Sequence, residues 1–450
     1  MTEIKTSPEF FMLAETEYEK CNFKGAITFL TNAIEIDSNF AEYYYRRGIA
    51  KYKLKDYQSA VDDFSKAIEI DPNFFHQYYC RGIAKYQLKD YQNAVHDLSK
   101  AIKMNPNVAQ HYYYHGVVVE KLERNYLENY KDSMDDFTKA IEIDPNFAHY
   151  YLRRGHAKDQ LKDYQGAIDD FTKAIELDPN LAEHYFRRGL LLKYLKDYQS
   201  AVDDLSKAIE IDPCNDEFYK FRGITKEKLK DFQGAIDDLT KAIKIDPENE
   251  SYYSLRAHSK EKLEDYQGAI DDYTKIIEIN PDEHYNYSER GRAKEKLEDY
   301  QGAIDDYTKA IKKDDYYDYN YSERGRAKEK LEDYQGAIDD YTKAIARSQY
   351  DYYYYCRGIA KYKLKDYQSA IDDFTKAIKM DPIIADYYYQ RSIVKKQLGN
   401  NIGAGKDNKK AERLKYGWRN EINKLIKKFD PKENTGQMQS SFKDFEKKIK

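Results

Sequence analysis

Apolar and small residues recur along this chain at helical spacing, in short blocks broken by polar turns. Within residues 41–74, Tyr44, Gly48 and Leu54 mark one helix that stops near Lys55 and Asp56. Ala60, Phe64, Ala67 and Ile68 follow at three- and four-residue spacing and predict a second helix. That helix must end before Pro72, because proline disfavours helical backbone at the residue preceding it. The segment therefore reads as two short helices, A and B, joined by a tight turn.

The same pattern returns down the chain, with glycine in the helix-A slot at Gly48, Gly82, Gly116, Gly155, Gly189, Gly223, Gly291, Gly325 and Gly358. Ala257 and Ser392 fill that slot in two further copies. Glycine inside a helix costs about 1 kcal/mol relative to alanine, so its recurrence beside a small Ala60-type slot predicts close helix–helix approach. Twelve repeats are expected: 7–40, 41–74, 75–108, 109–147, 148–181, 182–215, 216–249, 250–283, 284–317, 318–350, 351–384 and a degenerate 385–418. They are flanked by a tail at 1–6 and a basic capping helix and tail at 419–450. Spacing is 34 residues except for one 39-residue repeat, whose insertion between Leu122 and Tyr130 predicts a longer turn, and one of 33. Residues 285–311 and 319–345 are identical, which marks a recent duplication.

These residues resemble the tetratricopeptide repeat family, in the manner of a bacterial tandem array. Its motif asks for an aromatic at the fourth slot, a small residue at the eighth and twentieth, an aromatic or Leu at the twenty-fourth, Ala at the twenty-seventh and Pro at the thirty-second. Repeat five supplies Tyr151, Gly155, Ala167, Phe171, Ala174 and Pro179. The resemblance implies an all-α fold, an α-solenoid wound as a right-handed superhelix with helix A lining a concave groove. Terminal repeats of such an array need polar caps, and 409–428, with Leu414, Trp418, Ile422 and Leu425 on one face, is the candidate.

The chain departs from the family at two slots. The seventh is arginine in ten repeats, among them Arg47, Arg81, Arg154, Arg188, Arg256, Arg290, Arg324, Arg357 and Arg391. The twenty-third is aspartate in every repeat but the first, including Asp63, Asp170, Asp204 and Asp407. Arginine forks suit bidentate carboxylate contacts from a partly buried stem, so a ladder is expected, for example Arg188 with Asp204 or Asp170. Asp315 and Gln349 replace the repeat-closing proline in repeats nine and ten, which predicts softer joints there.

In the family, ligand contacts come from the second, fifth, ninth and twelfth slots of helix A, which share one helix face. Repeats two to four place there Tyr45, Ile49, Tyr52, Tyr79, Ile83, Tyr86, Tyr113 and Val117. An exposed aromatic and aliphatic face marks an interaction surface, and tyrosine gives large contact area with few rotors to freeze. Repeats eight to ten are polar on the same face, with Glu261, Arg292, Glu295, Arg326 and Glu329, and repeat eleven returns to Tyr352, Tyr355, Ile359 and Tyr362. The asparagines of a carboxylate clamp are missing, since Arg46, Cys80 and Tyr114 stand at the sixth slot and Ile49, Ile83 and Val117 at the ninth. The expected function is thus a non-catalytic scaffold or adaptor binding a protein or peptide segment in the groove. The alternative is a structural protein that associates with itself, as a homo-oligomer.

Composition agrees. Aromatics reach 15% with 47 Tyr, too many for a disordered chain. Residues 406–450 carry 14 Lys and Arg against 7 Asp and Glu, so the remainder of this chain of net charge −5 is acidic and no nucleic acid partner is expected. No apolar run reaches the roughly 18 residues of a membrane span, and residues 1–11 lack a signal-type apolar core, so a cytoplasmic setting without membrane insertion is expected. Cys21, Cys80, Cys214 and Cys356 are scattered and read as reduced thiols. No cofactor, metal or catalytic constellation is expected. Residues 399–406 superficially resemble a phosphate loop but lack its Ser/Thr and read as a decayed turn; His111 and His115 lack a third ligand; the recurring Asp pairs, such as Asp62 and Asp63, point in different directions on a helix.

Overall fold

A computed structural model describes residues 6–122 and 126–428, with side chains given through Tyr416. Among the described residues there are 24 α-helices and no strand, an all-α solenoid of helical hairpins. Repeat two shows the local logic: helix A runs Ala41–Lys53 and helix B Tyr57–Ile70. Asp56 caps helix B, its side chain accepting from the Ser59 backbone N–H at 3.3 Å. The turn itself places Lys55 at φ 65°, in the left-handed region, and the same position recurs at Lys89, Lys162, Lys196, Lys230, Glu264, Glu298, Glu332 and Lys365. Gly399 holds it in repeat twelve with φ 74°, so residues 399–406 are an inter-helix turn running into a helix.

The glycine slot is a point of close approach. A Cβ on Gly48 would stand 2.7 Å from the Phe64 ring, and one on Gly155 2.7 Å from Phe171. Phe64 and its equivalents Leu98, Phe137, Phe171, Leu205, Leu239, Tyr307, Tyr341 and Phe374 are all at most 2% exposed, flanked by the fully buried alanines of helix B. Within each body a hairpin therefore carries a small core of its own and completes it against the next.

Three sequence expectations are modified. The insertion in repeat four does not simply lengthen the turn: helix A shortens to Ala109–Val119, and helix B grows to 18 residues, Tyr126–Ile143, absorbing much of the added chain as helix. The joint after repeat nine is tied despite its missing proline, because Asp315 accepts from the Tyr321 hydroxyl at 2.5 Å and from Arg347 Nη2 at 2.6 Å. At the joints closed by Pro247, Pro281 and Pro382 the proline carbonyl takes a tyrosine hydroxyl instead, as Pro247 does from Tyr253 at 3.1 Å. The candidate cap is not a separate helix, since helix B of repeat twelve continues unbroken as Asn401–Lys428. The side chains of Trp418, Ile422 and Leu425, and residues 429–450, lie outside the described residues.

The chain divides into two compact bodies, Met1–Asp231 and Phe232–Lys450. The eight candidate groove residues belong to the first, and the polar face of repeats eight to ten belongs to the second.

Candidate functional site

Helix A packs with its glycine edge on helix B. Tyr45, Ile49, Tyr52, Tyr79, Ile83, Tyr86 and Tyr113 are each partly exposed, whereas Val117 is buried at 5% exposure. Tyr45, Ile49 and Tyr52 rest on Phe64, Ala60 and Ala84, spanning repeats two and three. Tyr79 and Tyr86 rest on Leu98, Ala94 and Val118, one repeat further on. Tyr113 stacks toward Phe137 and Tyr150 at ring distances of 6.0 and 5.3 Å. One side of each ring thus seals the seam to the following repeat. Burial pushes the hydroxyls of Tyr45, Tyr52 and Tyr79 up, so they stay protonated as donors.

Ile49, Tyr52 and Ile83 come together with Lys53, Phe64 and Cys80 around an open apolar cavity of about 180 Å³. The Cys80 thiol lies 3.9 Å from the Tyr45 hydroxyl, and burial pushes it up to about 11, so it is an inert thiol rather than a nucleophile.

The arginine–aspartate ladder is present and runs within repeats. Arg188 meets Asp204 through Nε and Nη2, both at 2.7 Å, and not Asp170, which belongs to Arg154. The third guanidinium nitrogen reaches back one repeat: Arg188 Nη1 donates to Thr172 Oγ1 at 3.0 Å, and Arg47 Nη1 to Thr31 Oγ1 at 3.2 Å. A lysine one turn after the arginine often doubles the charge on the aspartate, as Lys51 does on Asp63 at 2.7 Å. In repeat four His115 takes the arginine's place, bridging Asp136 at 2.6 Å and Ser99 at 2.9 Å. His111 packs between Phe75 and Tyr79 instead, and burial pushes it down to about 4. The two histidines therefore serve separate structural ends.

Sequence reading missed the polar cells of repeats eight to ten. Arg292 Nη2 lies 3.1 Å from Glu261 of the preceding repeat, and Arg326 Nη2 2.9 Å from Glu295. The signal was present as a Glu-to-Arg spacing of 31 residues that occurs twice. Burial pushes the Glu289 and Glu323 carboxyls up, against the opposing pull of Arg292 and Arg326.

A succession of two-helix hairpins with small–aromatic seams and a partly exposed helix-A face defines a helical repeat protein. Profiles of the tetratricopeptide repeat match residues 41–74, 148–181, 182–213 and 352–383; 78–108, 217–249 and 250–283; and 288–352. The chain belongs to the tetratricopeptide repeat family, whose members generally mediate protein–protein interactions. Among curated proteins none matches. Solved structures similar to it include MamA, residues 41 to the end, from Desulfovibrio magneticus RS-1 (25% identity, 38% of this chain and 95% of that one, TM-score 0.36). YrrB, described as a tetratricopeptide repeat protein with an unusual peptide-binding site, is 24% identical over 41% of this chain and 92% of its own, with a TM-score of 0.36. A tetratricopeptide repeat protein from Parabacteroides merdae ATCC 43184 is 18% identical, covering 56% of this chain and 98% of that one, with a TM-score of 0.43. No described helix is long and apolar enough to cross a membrane.

Proposed function

We propose that this protein is a non-catalytic scaffold that binds a segment of a partner protein on the helix-A face of repeats two to four. The observation that carries the reading is the apolar cavity between repeats two and three, open to solvent and lined by Ile49, Tyr52 and Ile83. An apolar recess beside partly exposed tyrosines suits an anchor residue of a peptide, with the tyrosine hydroxyls fixing its backbone. Tyr45, Tyr79, Tyr86 and Tyr113 hold that face in shape more than they meet the ligand directly, because their rings also close the seams, and Val117 is buried.

The test compares capture of lysate proteins by the full chain and by Ile49→Ser/Ile83→Ser, which makes the cavity wall polar. Helicity and thermal midpoint must match first. A protein captured by the wild type and lost by the variant supports groove binding. Equal capture by both overturns the assignment to repeats two to four. If the wild type captures only itself and its mass rises with concentration, the self-associating alternative replaces it.

A further inference from the structure

Three successive repeats of the second body carry a glutamate at the same helix-A slot: Glu261, Glu295 and Glu329. In the first two, the helix-B tyrosine of the same repeat donates to it, Tyr273 to Glu261 at 3.2 Å and Tyr307 to Glu295 at 2.8 Å. An arginine from the next repeat then covers the other carboxylate oxygen, Arg292 over Glu261 and Arg326 over Glu295. Each arginine also contacts a second acid one turn earlier on its own helix, Glu289 or Glu323.

The third cell keeps the acid and the tyrosine but has no arginine. Repeat eleven places Ile359 where Arg292 and Arg326 stand, and Cys356 where Glu289 and Glu323 stand. Among the described residues, Glu329 Oε1 and the Tyr341 hydroxyl are both buried without a hydrogen-bond partner. Glu329 as a residue remains partly exposed, so solvent reaches the cell. Tyr355 packs beside Tyr341 and Cys356 on one wall, and Tyr352, 46% exposed, lies 6.4 Å from it between ring centres.

Burial of Glu329 outweighs the pull of the nearby Tyr341 hydroxyl, Lys330 and Lys363, and the two complete cells show how this fold relieves a buried carboxylate. The missing piece is a guanidinium, a planar fork that pairs with carboxylates and stacks on tyrosine rings. We propose that repeats ten and eleven form a subsite for an arginine side chain of a partner polypeptide. Its guanidinium takes the place over Glu329 that Arg292 and Arg326 take over Glu261 and Glu295, and an apolar neighbour of that arginine rests on Tyr352 and Tyr355. This deepens the scaffold reading and rests on it, but it uses the helix-A face of other repeats, in the second body.

The probe is an immobilised mixture of capped heptapeptides with a central arginine and the other positions drawn from Ala, Leu, Phe and Ser. The control mixture has citrulline, which keeps the shape and removes the charge. The full chain is expected to be retained at least tenfold better by arginine than by citrulline. Glu329→Gln should abolish that preference. Ile359→Arg should abolish it too, by supplying the guanidinium from within, and it is expected to fold because Arg326 already occupies the same slot one repeat earlier. Equal retention on both mixtures, or an arginine preference that survives Ile359→Arg, overturns the proposal. Running Ile49→Ser/Ile83→Ser alongside separates the two sites: it should keep the arginine preference, and its loss there would assign the preference to repeats two to four.

Discussion

Arg188 and Asp204 are joined by two parallel hydrogen bonds of 2.7 Å, and Asp204 has no lysine at its second oxygen because Leu192 stands in the slot that Lys51 fills in repeat two. Repeat six therefore rests its buried aspartate on one cation, where repeat two uses a pair.

Removing that cation should be costly in proportion. Arg188→Met leaves Asp204 buried and uncompensated, and a loss of about 3 kcal/mol is expected in urea unfolding. Arg47→Met should cost about half as much, since Lys51 remains 2.7 Å from Asp63. The double change Arg188→Met/Asp204→Leu should recover most of the loss, because replacing both partners with apolar groups avoids the orphaned charge. Equal effects at the two arginines would mean the lysine contributes nothing.

Two glycines should respond oppositely to alanine. Gly48→Ala drives a Cβ into the Phe64 ring at 2.7 Å and should destabilise by about 1–3 kcal/mol. Gly405 lies within the last helix with nothing within 4 Å of its added Cβ, so Gly405→Ala should stabilise by about 1 kcal/mol. Thermal midpoints of the two variants decide whether contact or helix propensity rules each site.

The left-handed turn residue offers a matched pair. Lys55 holds φ 65° with a side chain that disfavours it, while repeat twelve uses Gly399 at φ 74°. Lys55→Gly should gain and Gly399→Lys should lose about 1 kcal/mol each, less the entropy glycine adds to the unfolded chain. Similar denaturation midpoints for both variants and wild type would show that these turns carry no such strain.

What could be read from sequence was what repeats within one hairpin. The Gly48 and Phe64 slots and the Asp71–Pro72 stop lie within one repeat length, where spacing sets geometry; the Arg–Asp ladder was legible as a pattern, but spacing left Asp204 and Asp170 both open to Arg188 until the structure chose Asp204. Contacts between repeats were less legible, because a side chain's reach across a seam does not show in a helical period. The Thr172 link to Arg188 and the Glu295–Arg326 cell were missed for that reason. Val117 was expected at the groove with its helical neighbours and is buried instead, in a repeat whose helix A is two residues shorter than its equivalents. The charged tail beyond the described residues was legible only as composition.

The pH dependence of stability should carry opposite signs at His111 and Glu329. Burial pushes His111 down to about 4 from 6.5 and Glu329 up to about 7 from 4.5, Glu329 against the weaker pull of Tyr341, Lys330 and Lys363. Between pH 6.5 and 4 the unfolded chain binds a proton at His111 that the folded chain refuses, so this contribution is complete above 6.5 and is lost as pH falls. Between pH 4.5 and 7 the folded chain holds a proton at Glu329 that the unfolded chain releases, so that contribution is complete below 4.5 and is lost as pH rises. Each is on the order of 2 kcal/mol, because a tenfold change in proton affinity is worth about 1.4 kcal/mol and relaxation around the charged form relieves part of the total. His111→Gln should therefore gain on wild type as pH drops from 7 to 4.5, and Glu329→Gln should gain as it climbs from 5 to 8, both measured as differences in urea midpoint. A Glu329→Gln difference that stays flat with pH would show that the carboxylate is already compensated in the free protein, and the arginine subsite would lose its physical cause.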